Sequence, residues 1–153
     1  MPKVKLDENL VAENIKEIIE KLAISATIEV SRIEKTFFID ISSEDSALLI
    51  GKHGINLDSL QFILSVRLKT ITGDDDFEVF VDVGNWRRQK EERLKQVAFS
   101  VAQKVAQSKT PEALYNLKAN ERRVIHLALT GHLEVETLSE GEGIDRHLMI
   151  KPK

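Results

Sequence analysis

Near the start of the chain, apolar residues fall at Leu10, Val11, Ile15, Ile18, Ile19 and Leu22, the three-and-four spacing of one helical face. Acids come early in this stretch and lysines late, which suits the dipole of a helix over residues 8–22. The period then changes. TIEVSRIEKTFFIDIS is rich in β-branched and aromatic residues and predicts two strands about a turn near Glu34-Lys35. Ser43-Glu44-Asp45 reads as the start of a short helix ending near Ile50. Beyond Gly51-Lys52-His53-Gly54, residues Leu57, Leu60, Ile63, Leu64, Leu68 and Ile71 predict the buried stripe of a helix reaching Thr70. GDDD turns the chain and FEVFVDV alternates as a strand. The first unit therefore reads α-β-β-α-α-β, with the glycine-flanked pair joining its two middle helices.

Gly84-Asn85 opens a long helix, NWRRQKEERLKQVAFSVAQKVAQSK, which stops at Thr110-Pro111. A short strand is expected over residues 114–117. Asn120 is placed to cap the helix ERRVIHLALTG, which Gly131 ends. LEVETLSE and DRHLMIKP read as two closing strands joined by GEG. This second unit is α-β-α-β-β. The fold class is α+β, built as two small domains over residues 1–84 and 85–153, with no internal repeat and no long structureless linker. So tight a boundary suggests that the units pack together, with Trp86 as an interdomain packing residue rather than a base-stacking platform.

Composition narrows the chemistry. A chain of 153 residues with 42% hydrophobic content can bury a core, and the absence of cysteine excludes disulfides, thiolate zinc sites and cysteine nucleophiles. No segment approaches the roughly 18 consecutive apolar residues of a membrane span, and the N-terminus lacks a signal-peptide core. A cytoplasmic protein without direct membrane insertion is the expectation. The net charge of −3 hides an asymmetry: residues 1–84 carry 9 basic against 16 acidic residues, and residues 85–153 carry 13 against 9. Only the second half would attract phosphate at long range.

Two constellations stand out. Gly51 and Gly54 around Lys52-His53 suggest a loop that something approaches closely, because glycine has no Cβ to hold a ligand off. The plainer alternative is a helical corner with an incidental lysine. Arg122 and His126 are four apart and share a helical face, with Arg123 about a quarter turn away. Arg146, Lys151 and Lys153 follow near the last strand and would extend that patch; the alternative is a solvated face. Aromatic residues make up 5% of the chain and mostly fall in core patterns, so a broad stacking surface is not expected. His53, His126, His132 and His147 show no zinc-ligand spacing, and GDDD lacks the spaced ligands of a calcium loop. Gly51-Lys52-His53-Gly54 lacks the ending of a nucleotide-binding P-loop, and no nucleophile–base–orienter set is present. No catalytic residue, metal site or cofactor is expected.

The order α-β-β-α-α-β with Gly-Lys-His-Gly between the middle helices resembles a K-homology (KH) domain of type II topology. Arg122-Arg123-Val124-Ile125-His126 resembles the signature of the Arg-x-x-x-His single-stranded nucleic-acid-binding domain. The two together, ending in SEGEGIDRHLMIKPK, closely resemble the bacterial Jag/KhpB family of RNA-binding proteins over nearly the whole chain from residue 8. The resemblance implies that the glycine loop grips a sugar-phosphate backbone. The local chemistry suits this: Gly54 and Ile55 open a helix and would offer unpaired amides, Lys52 a cation and His53 a donor, while Ile50 and Ile55 would wall the groove. It also implies that Arg122, Arg123, His126 and Arg146 contact nucleic acid. The partner is then single-stranded RNA or DNA, the role that of an RNA chaperone or post-transcriptional regulator linked to cell elongation or division. A small KH-only protein, or self-association through the KH domain, is the implied protein partner. Members of the family often carry a further N-terminal domain and linker; this chain opens at the KH helix, so contacts made through that domain, membrane-associated ones included, are not expected of it. Its tail has Asp145-Arg146-His147 where the family usually has consecutive arginines. A competing reading is an interaction scaffold that dimerises through the acidic KH unit, which would associate independently of salt and bind little RNA.

Overall fold

The computed structural model describes residues 5–153, which form one compact unit ending at Arg87 and another beginning at Arg88. The first comprises helix α1 (Glu8–Lys21), strands β1 (Thr27–Ile33) and β2 (Thr36–Ser42), helix α2 (Ser46–Ile50), a 3-10 turn at Lys52–Gly54, helix α3 (Ile55–Thr72) and strand β3 (Glu78–Val83). The order is the α-β-β-α-α-β read from the sequence. Asp7 caps α1, its carboxylate accepting the Leu10 amide at 3.0 Å. The sheet runs β1-β2-β3, with β1 and β2 antiparallel about Ile33 and Thr36, and β2 and β3 parallel. A parallel pair needs a crossover, and α2, the glycine turn and α3 supply it.

Alternation decides which face of this sheet is covered. Phe37, Ile39 and Ile41 of β2 and Val79, Val81 and Val83 of β3 are buried with Val11, Ile15 and Ile19 of α1 and Leu57, Leu60, Leu64 and Leu68 of α3. The expected stripe on α3 is too wide. Ile63 is 53% exposed and Ile71 38%, because one line of leucines already fills the contact with a three-stranded sheet. The helix also runs to Thr72, whose hydroxyl donates to the Leu68 carbonyl at 2.7 Å, before Gly73 ends it at φ 64°.

Helix α4 (Trp86–Ser108) begins with the last two residues of the first unit and otherwise belongs to the second, which adds strand β4 (Glu112–Leu114), helix α5 (Ala119–Ala128) and strands β5 (Val135–Glu140) and β6 (His147–Pro152). Its sheet is antiparallel throughout, in the order β4-β6-β5. Ala98, Ala102 and Val105 of α4, small enough for close approach, are buried with Ile125, Leu129, Val135, Leu148 and Ile150. Strand β4 lies at Glu112–Leu114 rather than at 114–117, because its register is set by β6: Glu112 pairs with Ile150 and Leu114 with Leu148.

The start of α5 also differs from expectation. Lys118, not Asn120, is the capping residue, and Asn120 accepts the Glu121 amide at 3.0 Å. Glu121 does the work expected of a cap: one carboxylate oxygen accepts the Lys118 amide at 2.8 Å, and the other pairs with Lys90 of α4. Burial pushes this carboxyl upward, but Lys90 and the Lys118 amide together hold it below the ordinary carboxylate value. A lowered folded pKa stabilises fully above the unfolded value and loses its effect as pH falls through the folded value. Thermal melts from pH 7 to pH 3 should therefore show the parent losing more stability than Glu121→Gln over the acid range. Equal losses in both would remove Glu121 as the cause.

Candidate functional site

In the first unit the glycine turn is built by its own neighbours. Gly51 sits at φ 68°, ψ −177°, a conformation essentially reserved for glycine. A Cβ there would also meet the Asn56 carboxamide at 2.5 Å, and that side chain is tied to the Leu48 carbonyl at 2.8 Å. Gly54 adopts φ 79°, and a Cβ on it would lie 2.2 Å from the Trp86 ring. The indole packs on Gly54 and against the core of this unit. Two expectations are corrected. The Gly54 amide donates to the Gly51 carbonyl at 3.2 Å and the Ile55 amide to that of Lys52, so neither is unpaired. Ile50 is half-buried against the core, which leaves Ile55, at 60% exposure, as the apolar residue presented beside the turn.

What the turn does present is Lys52 and His53. Both are exposed, and His53 is held at φ 54°, a left-handed conformation unusual for a residue with a side chain. Lys52 makes no ion pair among the described residues.

Alongside α3, a groove of about 520 Å³ lies against the edge strand, lined by Thr36, Phe38, Gln61, Ser65, Lys69 and Phe80 among others. At its end the edge is closed by side chains. The Gln61 carboxamide accepts the Val81 amide at 3.0 Å, and the Arg87 guanidinium donates to the Val81 carbonyl at 2.9 Å. Arg87 also pairs with Asp58 at 3.1 Å and lies 5.1 Å over the Phe80 ring. Gln61 and Arg87 had no sequence signal, since their role depends on β3 being an edge.

In the second unit the four residues singled out from the sequence converge. Arg122, Arg123, His126 and Arg146 line one concavity of about 370 Å³, with Thr137 and Ser139 of β5. Arg123 belongs to this hollow rather than pointing away from it. Arg122 is half-buried and donates to the Leu117 carbonyl at 2.6 Å, which fixes its guanidinium at the rim. His126 Nδ1 meets the Thr137 hydroxyl at 2.5 Å, which orients the ring in the hollow. No carboxylate lines the hollow. Lys151 and Lys153 do not extend it: Lys151 pairs with Glu140, and Lys153 donates to the His132 carbonyl at 2.6 Å. Thr137 and Ser139 were legible only as alternate positions of a strand, with nothing to say which face α5 would border.

The aromatic residues depart from the expected core pattern. Phe62 is 68% exposed, Phe99 53% and Tyr115 60%. Among the described residues, no helix is long and apolar enough to cross a membrane.

Replacing Gly54 by Ala would force a Cβ into the Trp86 ring at positive φ, a strain of about 1–3 kcal/mol. Thermal unfolding should fall by several degrees, and adding Trp86→Ala should cost less than the two single losses combined. Full additivity would mean that the ring and Gly54 are uncoupled.

Comparison with known proteins follows the same division. Residues 8–81 match the KhpA/KhpB KH domain, and residues 92–152 match the domain named for its Arg-x-x-x-His motif. The chain is 34% identical over 132 residues to "RNA-binding protein KhpB" of Clostridium symbiosum, covering 86% of this chain and 59% of that protein. It is 35% identical over 138 residues to the protein of the same name from Bacillus subtilis, covering 89% and 66%. The Lactiplantibacillus plantarum protein is 27% identical over 133 residues, covering 87% and 41%. The chain thus spans 59%, 66% and 41% of these relatives' own lengths. With a KhpA/KhpB-type KH domain followed by an Arg-x-x-x-His domain, and KhpB proteins similar along most of its length, the chain belongs to the Jag/KhpB family.

Proposed function

We propose that this protein binds single-stranded RNA through both units, acting in the cytoplasm as an RNA chaperone or post-transcriptional regulator and not as an enzyme. The carrying observation is the convergence of Arg122, Arg123, His126 and Arg146 in one hollow without a carboxylate. Like charges gathered there repel one another, and a phosphate would relieve that repulsion while accepting guanidinium and imidazole hydrogen bonds. The names of the curated relatives support RNA as the ligand. In the first unit, exposed Lys52 would add a weak phosphate contact beside the groove along α3, within an acidic half that attracts little by charge. A wider role in cell elongation or division belongs to the same reading through the family.

The test is salt dependence. Each phosphate contact to a single strand contributes about 0.7 to the slope of log affinity against log salt. Arg123→Ala and Arg146→Ala should each weaken binding and flatten that slope by about this amount. Unchanged slopes would remove the hollow as the phosphate site. Replacing Lys52 and His53 by Asp should weaken binding without moving stability by more than the small shift typical of exposed residues, about 0.5 kcal/mol. Parent-like binding would make the turn a structural corner only.

A second reading, association with a KH-only protein or another copy of this chain, is favoured by the outer face of α3. Ile55, Phe62, Ile63 and Val66 are exposed at 60, 68, 53 and 47%, and an apolar hollow of about 440 Å³ lies between Leu22, Leu48 and Ile63. Sedimentation of the parent and of Phe62→Asp separates the cases. Loss of a salt-independent dimer in the variant supports this reading, and a monomeric parent rules out self-association through the face.

A further inference from the structure

The second unit's sheet has two faces, and its helices cover one. Residues directly opposite in an antiparallel sheet share a face, so Thr137 and Ser139 lie with buried Ile150 and Leu148 toward the helices. Their neighbours Leu138 and Glu140 lie on the other face, opposite Met149 and His147. On that open face Tyr115, the residue after β4, stacks on His147, with ring centroids 4.7 Å apart and planes at 30°. Tyr115 keeps 60% of its surface exposed although His147 covers one side of its ring.

A backbone contact orients the histidine of the pair. His147 Nδ1 lies 2.8 Å from the Asp145 carbonyl, and since a carbonyl only accepts, Nδ1 carries the hydrogen and the ring plane is fixed. The Glu140 carboxylate opposite His147 is taken by Lys151. Arg146, immediately before His147, lines the arginine hollow on the other side of the sheet end. The cationic hollow and the aromatic stack therefore meet at one peptide unit.

We propose that Tyr115, backed by His147, is a base-stacking platform for the strand whose phosphate occupies the hollow of Arg122, Arg123, His126 and Arg146. The inference rests on the reading of that hollow as a phosphate site. Its occupant is a nucleobase: Tyr115 exposes one face of a ring backed by His147, and Arg146 of the hollow immediately precedes that histidine, which suits an aromatic base on an anionic backbone better than an aliphatic protein side chain. Stacking on Tyr115 asks for no particular base, so the platform adds affinity without a sequence preference.

The experiment uses the full chain and a single-stranded oligouridine, with affinity measured across a salt series for the parent, Tyr115→Leu, Tyr115→Phe and Arg146→Ala. Tyr115→Leu should weaken binding by about 5- to 100-fold at an unchanged salt slope, because it removes a stacked base and no phosphate contact. Tyr115→Phe keeps the ring and should recover most of the loss. Arg146→Ala should flatten the slope. If Arg146→Ala flattens it but Tyr115→Leu binds like the parent, the platform is overturned and the hollow stands. If neither variant changes binding or slope, the hollow reading fails and takes the platform with it. Photocrosslinking of the parent to a 4-thiouridine oligomer supplies an arm independent of folding in the variants: adducts on the peptide bearing Tyr115 or His147 support the platform, and adducts confined elsewhere overturn it.

Discussion

Each unit of this protein makes a three-stranded sheet and supplies helices for only one of its faces, and the chemistry follows from that constraint. A small domain buries a modest fraction of its surface, so one layer of helix on one layer of strand is what so short a stretch of chain can complete. In the first unit the covered face takes Phe37, Ile39 and Ile41, while Phe38 and Phe80 meet on the other side with ring centroids 5.8 Å apart. In the second, Leu148 and Ile150 go inward and His147 and Met149 outward. Exposed aromatic rings are then a consequence of architecture before they are a device. Function is available wherever such a face borders concentrated charge.

The glycine turn shows how a motif can have two sufficient causes. Gly51 is demanded by its backbone angles, and Gly54 by the indole that lies against its Cα. Both glycines would be required if the protein bound nothing. Their presence therefore carries no weight for a ligand, and any recognition at this corner falls to exposed Lys52 and His53.

Legibility in the sequence tracked the range of the interaction. Periodicity over a few residues placed both element orders and most of the apolar line of α1, of which only Leu22 is largely exposed. What was misread involved partners far apart in the chain. The register of β4 comes from β6, more than a helix and a strand later, so an apolar run at 114–117 was a poor guide. Trp86 finds Gly54 through the fold, and nothing local to either residue announces it. The arginine hollow was half legible: Arg122 and His126 follow from helical spacing, but Arg123 and Arg146 join them only because β5 and the end of β6 close the other side. The stripe on α3 failed for a different reason, since counting apolar positions does not tell how many of them the opposing sheet can cover.

The division of labour between lysine and arginine in the second unit then makes physical sense. Its carboxylates are answered by lysines: Lys90 on Glu121, Lys95 on Glu91 and Glu92, Lys104 on Glu112, and Lys151 on Glu140. None of the described ion pairs uses Arg122, Arg123 or Arg146. A lysine ammonium is a compact charge on a flexible stem and neutralises a nearby acid without demanding a plane. A guanidinium presents a fixed fork of donors matched to two oxygens of one phosphate, so an unpaired cluster of them suits an anion of that shape. Arg122 donates to the Leu117 carbonyl and so is tied in place, while Arg123 and Arg146 are exposed and have no ion pair among the described residues. If the hollow takes a phosphate as proposed, the anchored guanidinium would set the geometry and the two others would close on what enters.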